Sequence, residues 1–318
     1  MQRLISGLIL GFLVLLGLIL VGDIRQVGAE MIQFRWTFYP LVLLLTLGNY
    51  LLRFLKWHFY LGRLGIRDLP LLESARLFLA GFPLAVSPGK VGEALKAVWL
   101  QRETGLPLPK GIAVVMAERI SDGLAVLLLS ALGVIAYPRY WPVFAGALVF
   151  VLTVIIISQV KPLALRLLTW SGRIPFLERF SNSMRDFYLG SYQLFRPGPT
   201  LTAVGLGTVS WFGEGLGMYL ILIGLGVSPG WNTLSLAVFV LAFSTVVGAV
   251  SALPGGLGAA EVSLAGMLTF LLGTEPEIAS TATLLIRFAT LWFGVAIGLG
   301  VWAFSRELLK VSPPSPAE

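Results

Sequence analysis

The sequence predicts an all-α, polytopic membrane protein with about six spanning helices and two re-entrant helical hairpins arranged as inverted repeats. Three observations lead there. Apolar residues make up 57% of the 318 and charged residues 12%, about half the charged share of an ordinary soluble domain. Apolar runs recur at lengths suited to a bilayer core of roughly 30 Å, which takes about 20 helical residues to cross. Twice, finally, a run breaks at a Pro-Gly turn carrying a glutamate: Pro88-Gly89-Lys90-Val91-Gly92-Glu93 and Pro254-Gly255-Gly256-Leu257-Gly258-Ala259-Ala260-Glu261. Each glutamate is followed 26 residues on by an arginine inside another apolar stretch, Arg119 and Arg287. Helix breaks with charges at corresponding places in two halves of a membrane protein point to a site near the bilayer midplane.

Taken in order, the first element is a span over residues 4–22. Its apolar stretch, Leu4 to Val21, has 18 residues, more than the roughly 7 to 15 of a secretory signal core. Small residues follow at Val27-Gly28-Ala29, but the length favours an uncleaved first helix. Spans follow at 39–61, 111–137, 141–160, 201–224 and 279–304, seeded by runs such as Leu41 to Leu52, Val143 to Ile157 and Leu216 to Leu225. Two broken regions remain, 72–100 and 232–272, and each reads as a hairpin returning to its own side. The segment 161–199 is the one long polar stretch, and Pro313-Pro314-Ser315-Pro316 is expected to be a disordered tail.

Charge orients the chain. The segment 161–199 carries Lys161, Arg166, Arg173, Arg179, Arg185 and Arg196 against Glu178 and Asp186, which places it in the cytoplasm by the positive-inside rule. Counting outward, Arg3, Arg63, Arg67, Arg102, Lys110, Arg306 and Lys310 fall on the same side. The other side keeps Arg25, Arg35 and Arg139 with Glu275 and Glu277. Both termini are then cytoplasmic, in a multi-pass protein of the cell (inner) membrane. Three crossings separate residue 39 from residue 201, so two units, about 39–137 and 201–304, enter from opposite faces within a single membrane domain, 1–318. Gly65-Ile66 and Gly226-Val227 match at an offset of 161, which sets Arg53 opposite Glu214. The linker is either an amphipathic helix on the inner leaflet, carrying Arg173, Arg179, Arg185, Phe187 and Tyr188, or an ordered connection between repeats.

The net charge of +7 does not indicate nucleic acid, because the basic residues are scattered between spans without an interleaved aromatic surface. A basic face against anionic lipid explains it. Zero cysteines exclude disulfide and thiolate chemistry. The single His58 lies among Lys56, Trp57 and Arg63 near a helix end and reads as an interfacial anchor rather than a metal ligand. No cofactor and no metal are expected.

Seven charges, Arg53, Glu93, Arg119, Asp122, Glu214, Glu261 and Arg287, fall inside or between apolar runs. An unpaired charge at a helix centre costs about 2.5 to 3.5 kcal/mol on insertion scales, so these must pair with one another or line a wet cavity. Structural salt bridges are one reading, with Arg119 and Asp122 three apart on one helix face; a substrate site built from Arg53, Glu93, Arg119, Glu214, Glu261 and Arg287 is the other. The turns add a second ingredient. After Pro88 and Pro254 the chain restarts as a half-helix whose free N–H groups favour an anion, and Gly89, Gly92, Gly255, Gly256 and Gly258 allow backbone to approach a ligand. Alanine at Gly255 and Gly256 is therefore expected to extend helix over that end, whereas Gly213, Gly215 and Gly217 read as helix-packing positions. No phosphate loop G-x-x-x-x-G-K-[ST], H-E-x-x-H or G-x-S-x-G occurs, so no soluble-type catalytic site is expected; acids and arginines leave a membrane-embedded enzyme open.

At these residues the chain resembles the transmembrane domain of the lysylphosphatidylglycerol synthase family, also called the flippase-like or UPF0104 domain. The resemblance rests on Pro88-Gly89 with Val91-Gly92-Glu93, on Glu118-Arg119-Ile120-Ser121-Asp122-Gly123, on Leu253-Pro254-Gly255-Gly256-Leu257-Gly258 with Glu261, and on Arg287. It covers roughly residues 5–305. It implies a polytopic inner-membrane domain that, in bifunctional members, flips an aminoacylated phospholipid made by a fused C-terminal domain. The sequence ends at Glu318 without that synthase domain, so lysyl transfer is not expected. The resemblance implies a lipid translocator whose partner is a phospholipid or lipid-linked headgroup. A membrane-embedded enzyme on a lipid-linked substrate, or an accessory to a separate glycosyltransferase or lipid-modifying enzyme, stands beside it.

Overall fold

The computed structural model describes residues 24–136, 141–159 and 181–305. The expected span at 4–22, the part of the polar linker holding Arg173 and Arg179, and the expected tail lie outside the described residues. Within them the chain is helical and no strand occurs. A short helix α1 (Ile24–Gln33) leads through a turn at Trp36–Phe38 into α2 (Tyr39–Arg63). Next come α3 (Leu71–Ala80), 3-10 turns at Phe82–Val86 and Pro88–Ala94, α4 (Leu95–Thr104), α5 (Leu108–Ala136) and α6 (Trp141–Gln159). The second half follows with α7 (Ser181–Leu194), α8 (Pro197–Gly224), α9 (Trp231–Val250), a 3-10 turn at Pro254–Gly256, α10 (Ala259–Leu272), α11 (Pro276–Arg287) and α12 (Phe293–Phe304), the last two joined by a π turn at Phe288–Trp292.

Among the described residues, five stretches are long and apolar enough to cross a membrane: Trp36–Arg63, Pro197–Gly224, Trp231–Val250, Pro254–Leu272 and Pro276–Phe304. Helix α2 shows what surrounds them. Leu41, Leu44, Leu47, Leu51 and Leu55 are exposed at spacings of three and four, a stripe down one helix face. In water such a stripe would be an aggregation liability; against acyl chains it is the expected exterior.

The two breaks differ in arm length. Helices α3 and α4 have ten residues each, about 15 Å of rise, and 3-10 turns at Phe82–Val86 and Pro88–Ala94 join them. Helix α9 has 20 residues and α10 has 14, so the second hairpin has the longer arms. Both turns share one cause: Ser87 and Leu253, each preceding a proline, are extended at ψ 150° and 151°, because the residue before proline is pushed out of the α region. Backbone hydrogen bonding therefore stops and restarts there.

Helices α2 and α8 run antiparallel and form the spine. Val42 near the start of α2 packs with Met218, Ile221 and Leu222 near the end of α8. At the other end of the pair, Trp57, Tyr60 and Leu61 pack with Ala203. Where the helices cross, Asn49 Nδ2 donates to the Ser210 carbonyl at 3.2 Å and Ser210 Oγ donates back to the Asn49 carbonyl at 3.3 Å. These residues are 161 apart, the offset read from the sequence. Both helices also end alike. Ile66 N bonds to Leu61 O at 3.1 Å and Val227 N to Leu222 O at 3.0 Å, each across a left-handed glycine, Gly65 (φ 89°) or Gly226 (φ 88°).

Glycine conformation at the second break corrects one expectation. Gly255, Gly256 and Gly258 have φ of 63°, 68° and 87°, a region L residues avoid, and a Cβ on Gly256 would stand 2.9 Å from Gly248 Cα. Alanine there cannot extend a helix. Gly256→Ala should instead lower the thermal midpoint in detergent, a left-handed residue costing alanine about 1 to 2 kcal/mol before any clash. Gly215→Ala should also lose stability, since its Cβ would meet Val238 Cγ2 at 2.7 Å, while Gly213, with nothing within 4 Å, should tolerate the change. Equal midpoints for Gly256→Ala and Gly213→Ala would contradict this account.

Candidate functional site

The two hairpin tips meet. Val86 from the first lies against Leu257 of the second, with Val295 of α12 completing the contact, and a Cβ on Gly255 would be 3.6 Å from Val86 Cα. Beside this contact is a partly open cavity of about 150 Å³, room for on the order of ten waters. Arg53, Glu93, Arg119, Glu214 and Arg287 all line it, together with Gly255 and Gly256. Thus five of the six charged positions expected from sequence converge on one space; Glu261, the sixth, stands directly behind Arg287.

Each Glu-Arg pair spaced by 26 residues is also a pair in space. Glu93 Oε2 is 3.3 Å from Arg119 Nε, and Glu261 Oε1 is 2.5 Å from Arg287 Nε. The spacing works because each glutamate lies just past a break and each arginine lies on the long helix that packs beside it. Those two helical stretches have equal length, 29 residues for both Leu108–Ala136 and Pro276–Phe304. Arg119 and Arg287 occupy the same register in them.

Around the first pair the network is dense. Asp122 on α5 faces three cations: Lys56, which donates to its Oδ1, Arg119 at 3.5 Å and Arg53 at 3.7 Å. Lys96 Nζ reaches Glu118 Oε2 at 2.7 Å while lying 4.2 Å from the centre of the Trp57 ring, so both a carboxylate and an aromatic face hold it. Lys56 and Glu261 are 0% exposed and Glu118 is 1% exposed. Such charges persist at this depth only because they are paired.

Around the second pair, the backbone is tied in. Glu261 Oε2 accepts from the Gly258 amide at 2.6 Å, and Arg287 Nη2 donates to the Gly255 carbonyl at 3.2 Å. The start of α10, expected to offer its amides to an outside anion, already holds an internal one. At the first break the Gly92 amide is likewise taken, donating to Ser87 Oγ at 2.8 Å. Neither Gly92 nor Gly258 reaches the cavity wall; Pro88 and Gly89 open the 3-10 turn that carries Glu93. Immediately after Arg287 the helix widens into a π turn, a distortion that often accompanies functional positions, and the Thr290 carbonyl there accepts from the Tyr50 hydroxyl.

Several participants were not singled out in the sequence. Lys56, grouped there with the interfacial residues around His58, is buried on Asp122; Glu118 stood only in the motif of the resemblance, and Lys96, Tyr50 and Trp211 carried no expectation. Helix spacing carried a signal for three of them: Lys56 follows Arg53 by three, Lys96 follows Glu93 by three, and Trp211 precedes Glu214 by three. His58 Nδ1 lies 3.1 Å from Ser74 Oγ, and no cluster of metal-binding side chains occurs among the described residues. Gly215 and Gly217 face Val238 and Val42 on neighbouring helices, as packing positions should, whereas Gly213, expected to be one with them, has nothing within 4 Å.

Fold and site together define a polytopic α-helical membrane protein whose two hairpin tips, with α2, α5, α8 and α11, line one charged cavity. Residues 8–298 match the family model described as the lysylphosphatidylglycerol synthase TM region, and the chain belongs to that family. It is similar to a UPF0104 membrane protein of Methanothermobacter thermautotrophicus, 28% identical over 91% of this chain and 90% of the relative. A UPF0104 membrane protein of Pyrococcus horikoshii is 24% identical over 96% of this chain and 98% of its own length. No solved structure matches the chain.

Proposed function

We propose that this protein translocates a phospholipid or lipid-linked headgroup between leaflets, with Arg53, Arg119 and Arg287 receiving the phosphate. One observation carries the reading: six charged side chains from both halves of the chain converge on a single cavity of headgroup size. Intramembrane ionisable groups facing a cavity mark substrate pathways. The family's name, which refers to a lipid synthase, agrees with a lipid-related role. The two units act as inverted repeats, related by a pseudo-two-fold axis near Asn49 and Ser210. The reciprocal hydrogen bonds at that crossing support this, since residue i bonding j while j bonds i marks a two-fold contact. Rocking of one unit against the other about that crossing opens the cavity to each leaflet in turn. Purified protein in liposomes with headgroup-labelled phospholipids tests the proposal: transfer between leaflets without chemical change supports it, whereas conversion of the lipid selects an enzyme and inertness towards every lipid an accessory role.

The basic end of the bundle faces the cytoplasm in this reading, with both termini on that side of the cell membrane. Arg63, Arg67, Arg102, Lys110, Arg185 and Arg196 belong to the end where α2 stops and α8 begins, and Arg25 and Arg35 to the other. Trp36 and Trp231, 51% and 75% exposed, stand at the less basic end, as interfacial anchors do. The chain has no cysteine, so single cysteines report cleanly. Cysteine at Ser171 should resist an impermeant thiol reagent in intact cells, and one at Glu275, exposed between α10 and α11, should react. The reverse pattern would invert the orientation.

A further inference from the structure

Two acids line the cavity, and they are not equivalent. Glu93 is paired with Arg119; Glu214 is 6% exposed and, among the described residues, has neither an ion pair nor a hydrogen bond. The charged groups acting on it are Arg53 of α2, Arg287 of α11 and Asp122 of α5. Tyr50 of α2 and, from the first hairpin, Glu93 and Lys96 share the cavity wall, as does Arg119 of α5. Helix α9, packed along α8, has no titratable residue. The other four buried acids, Glu93, Glu118, Asp122 and Glu261, all have basic partners.

The charge balance gives this lone carboxylate its role. Arg53, Lys56, Lys96, Arg119 and Arg287 face Glu93, Glu118, Asp122, Glu214 and Glu261. With Glu214 ionised the network is neutral; with Glu214 protonated it carries one uncompensated positive charge beside the cavity. Building on the translocation reading, we propose that Glu214 is a proton-coupling site: an anionic headgroup and a proton bind together, and both are released together on the other side. No covalent step is needed. The carboxylate takes up a proton, Arg53 and Arg287 are freed from its attraction to hold the phosphate, and loss of the proton draws them back. Its place on α8, between an arginine of each unit, lets one protonation event act on both halves.

Two measurements test this independently of each other. In detergent, glycerophosphoglycerol, a phosphodiester that stays a monoanion near neutral pH, is the probe, and calorimetry in buffers of different ionisation enthalpy counts protons taken up on binding. Linkage requires about one proton per ligand for the wild type near neutral pH, and none for Glu214→Gln. Glu214→Asp, which keeps the carboxyl group, should keep the uptake. Absence of binding, or binding by the wild type without proton uptake, overturns the inference, even if Glu214→Gln proves too unstable to study. In liposomes, a pH gradient should skew the leaflet distribution of a labelled anionic phospholipid, and Glu214→Gln should abolish the skew. A sodium gradient producing the same skew would overturn proton coupling. Proton-linked binding without any lipid movement would leave the coupling site standing and overturn the translocation reading.

Discussion

Arg287→Ala is expected to cost about 3 to 5 kcal/mol of stability and to abolish translocation, because it strands Glu261 as a fully buried carboxylate without its partner. The same change frees the Gly255 carbonyl, so the clamp over the second break is lost along with the charge. Removing both charges, as Glu261→Gln with Arg287→Met, should recover most of the stability, since a buried pair replaced as a pair is often near neutral. Translocation should stay absent, because the arginine is gone from the cavity. Thermal unfolding in detergent beside a liposome assay separates the two effects. Arg287→Ala protein as stable as the wild type would show that the pair does not hold the break. Glu93→Gln should be much milder in stability, because Arg119 keeps Asp122 as a second partner.

The second large effect belongs to Asp122, the shared partner of Lys56, Arg53 and Arg119. Asp122→Asn leaves Lys56, which is 0% exposed, as an uncompensated buried cation. A loss of about 3 to 5 kcal/mol is again the scale for breaking one side of such a pair. Lys56→Met in the Asp122→Asn background should restore a substantial part of it. A double-mutant cycle should give a coupling between these residues within the 0.5 to 3 kcal/mol typical of residues in one ionic network. Additive losses would mean that the two side chains do not interact energetically and that Arg53 and Arg119 are the partners that count.

Much of this was legible in the chain itself. An identical spacing beside two prolines marked Glu93 with Arg119 and Glu261 with Arg287 as corresponding positions, a pattern that survives because two helical stretches of equal length carry the arginines in the same register. The offset linking Gly65 to Gly226 also linked Asn49 to Ser210, though nothing local marked those two as contact residues. Lys56 was misplaced because its neighbours, Trp57, His58 and Arg63, have the composition of a membrane interface; whether a lysine snorkels outward or turns inward depends on which helix face meets Asp122, a residue 66 positions away.

Helical class, membrane residence, the two breaks and the set of charges that must be neutralised were determined by the sequence alone, because apolar run length, proline and the cost of a lone charge in hydrocarbon act locally. Only the tertiary structure decided who neutralises whom. It showed one amide at each break, Gly92 and Gly258, engaged within the protein by Ser87 and Glu261, and left-handed backbone at Gly255 and Gly256 where alanine had been expected to fit. Among the described residues it also left Glu214 without an ion pair or hydrogen bond. Those outcomes depend on how far α2, α5, α8 and α11 lie from one another, and electrostatic pairing falls off over a few ångströms that no spacing along a chain can specify.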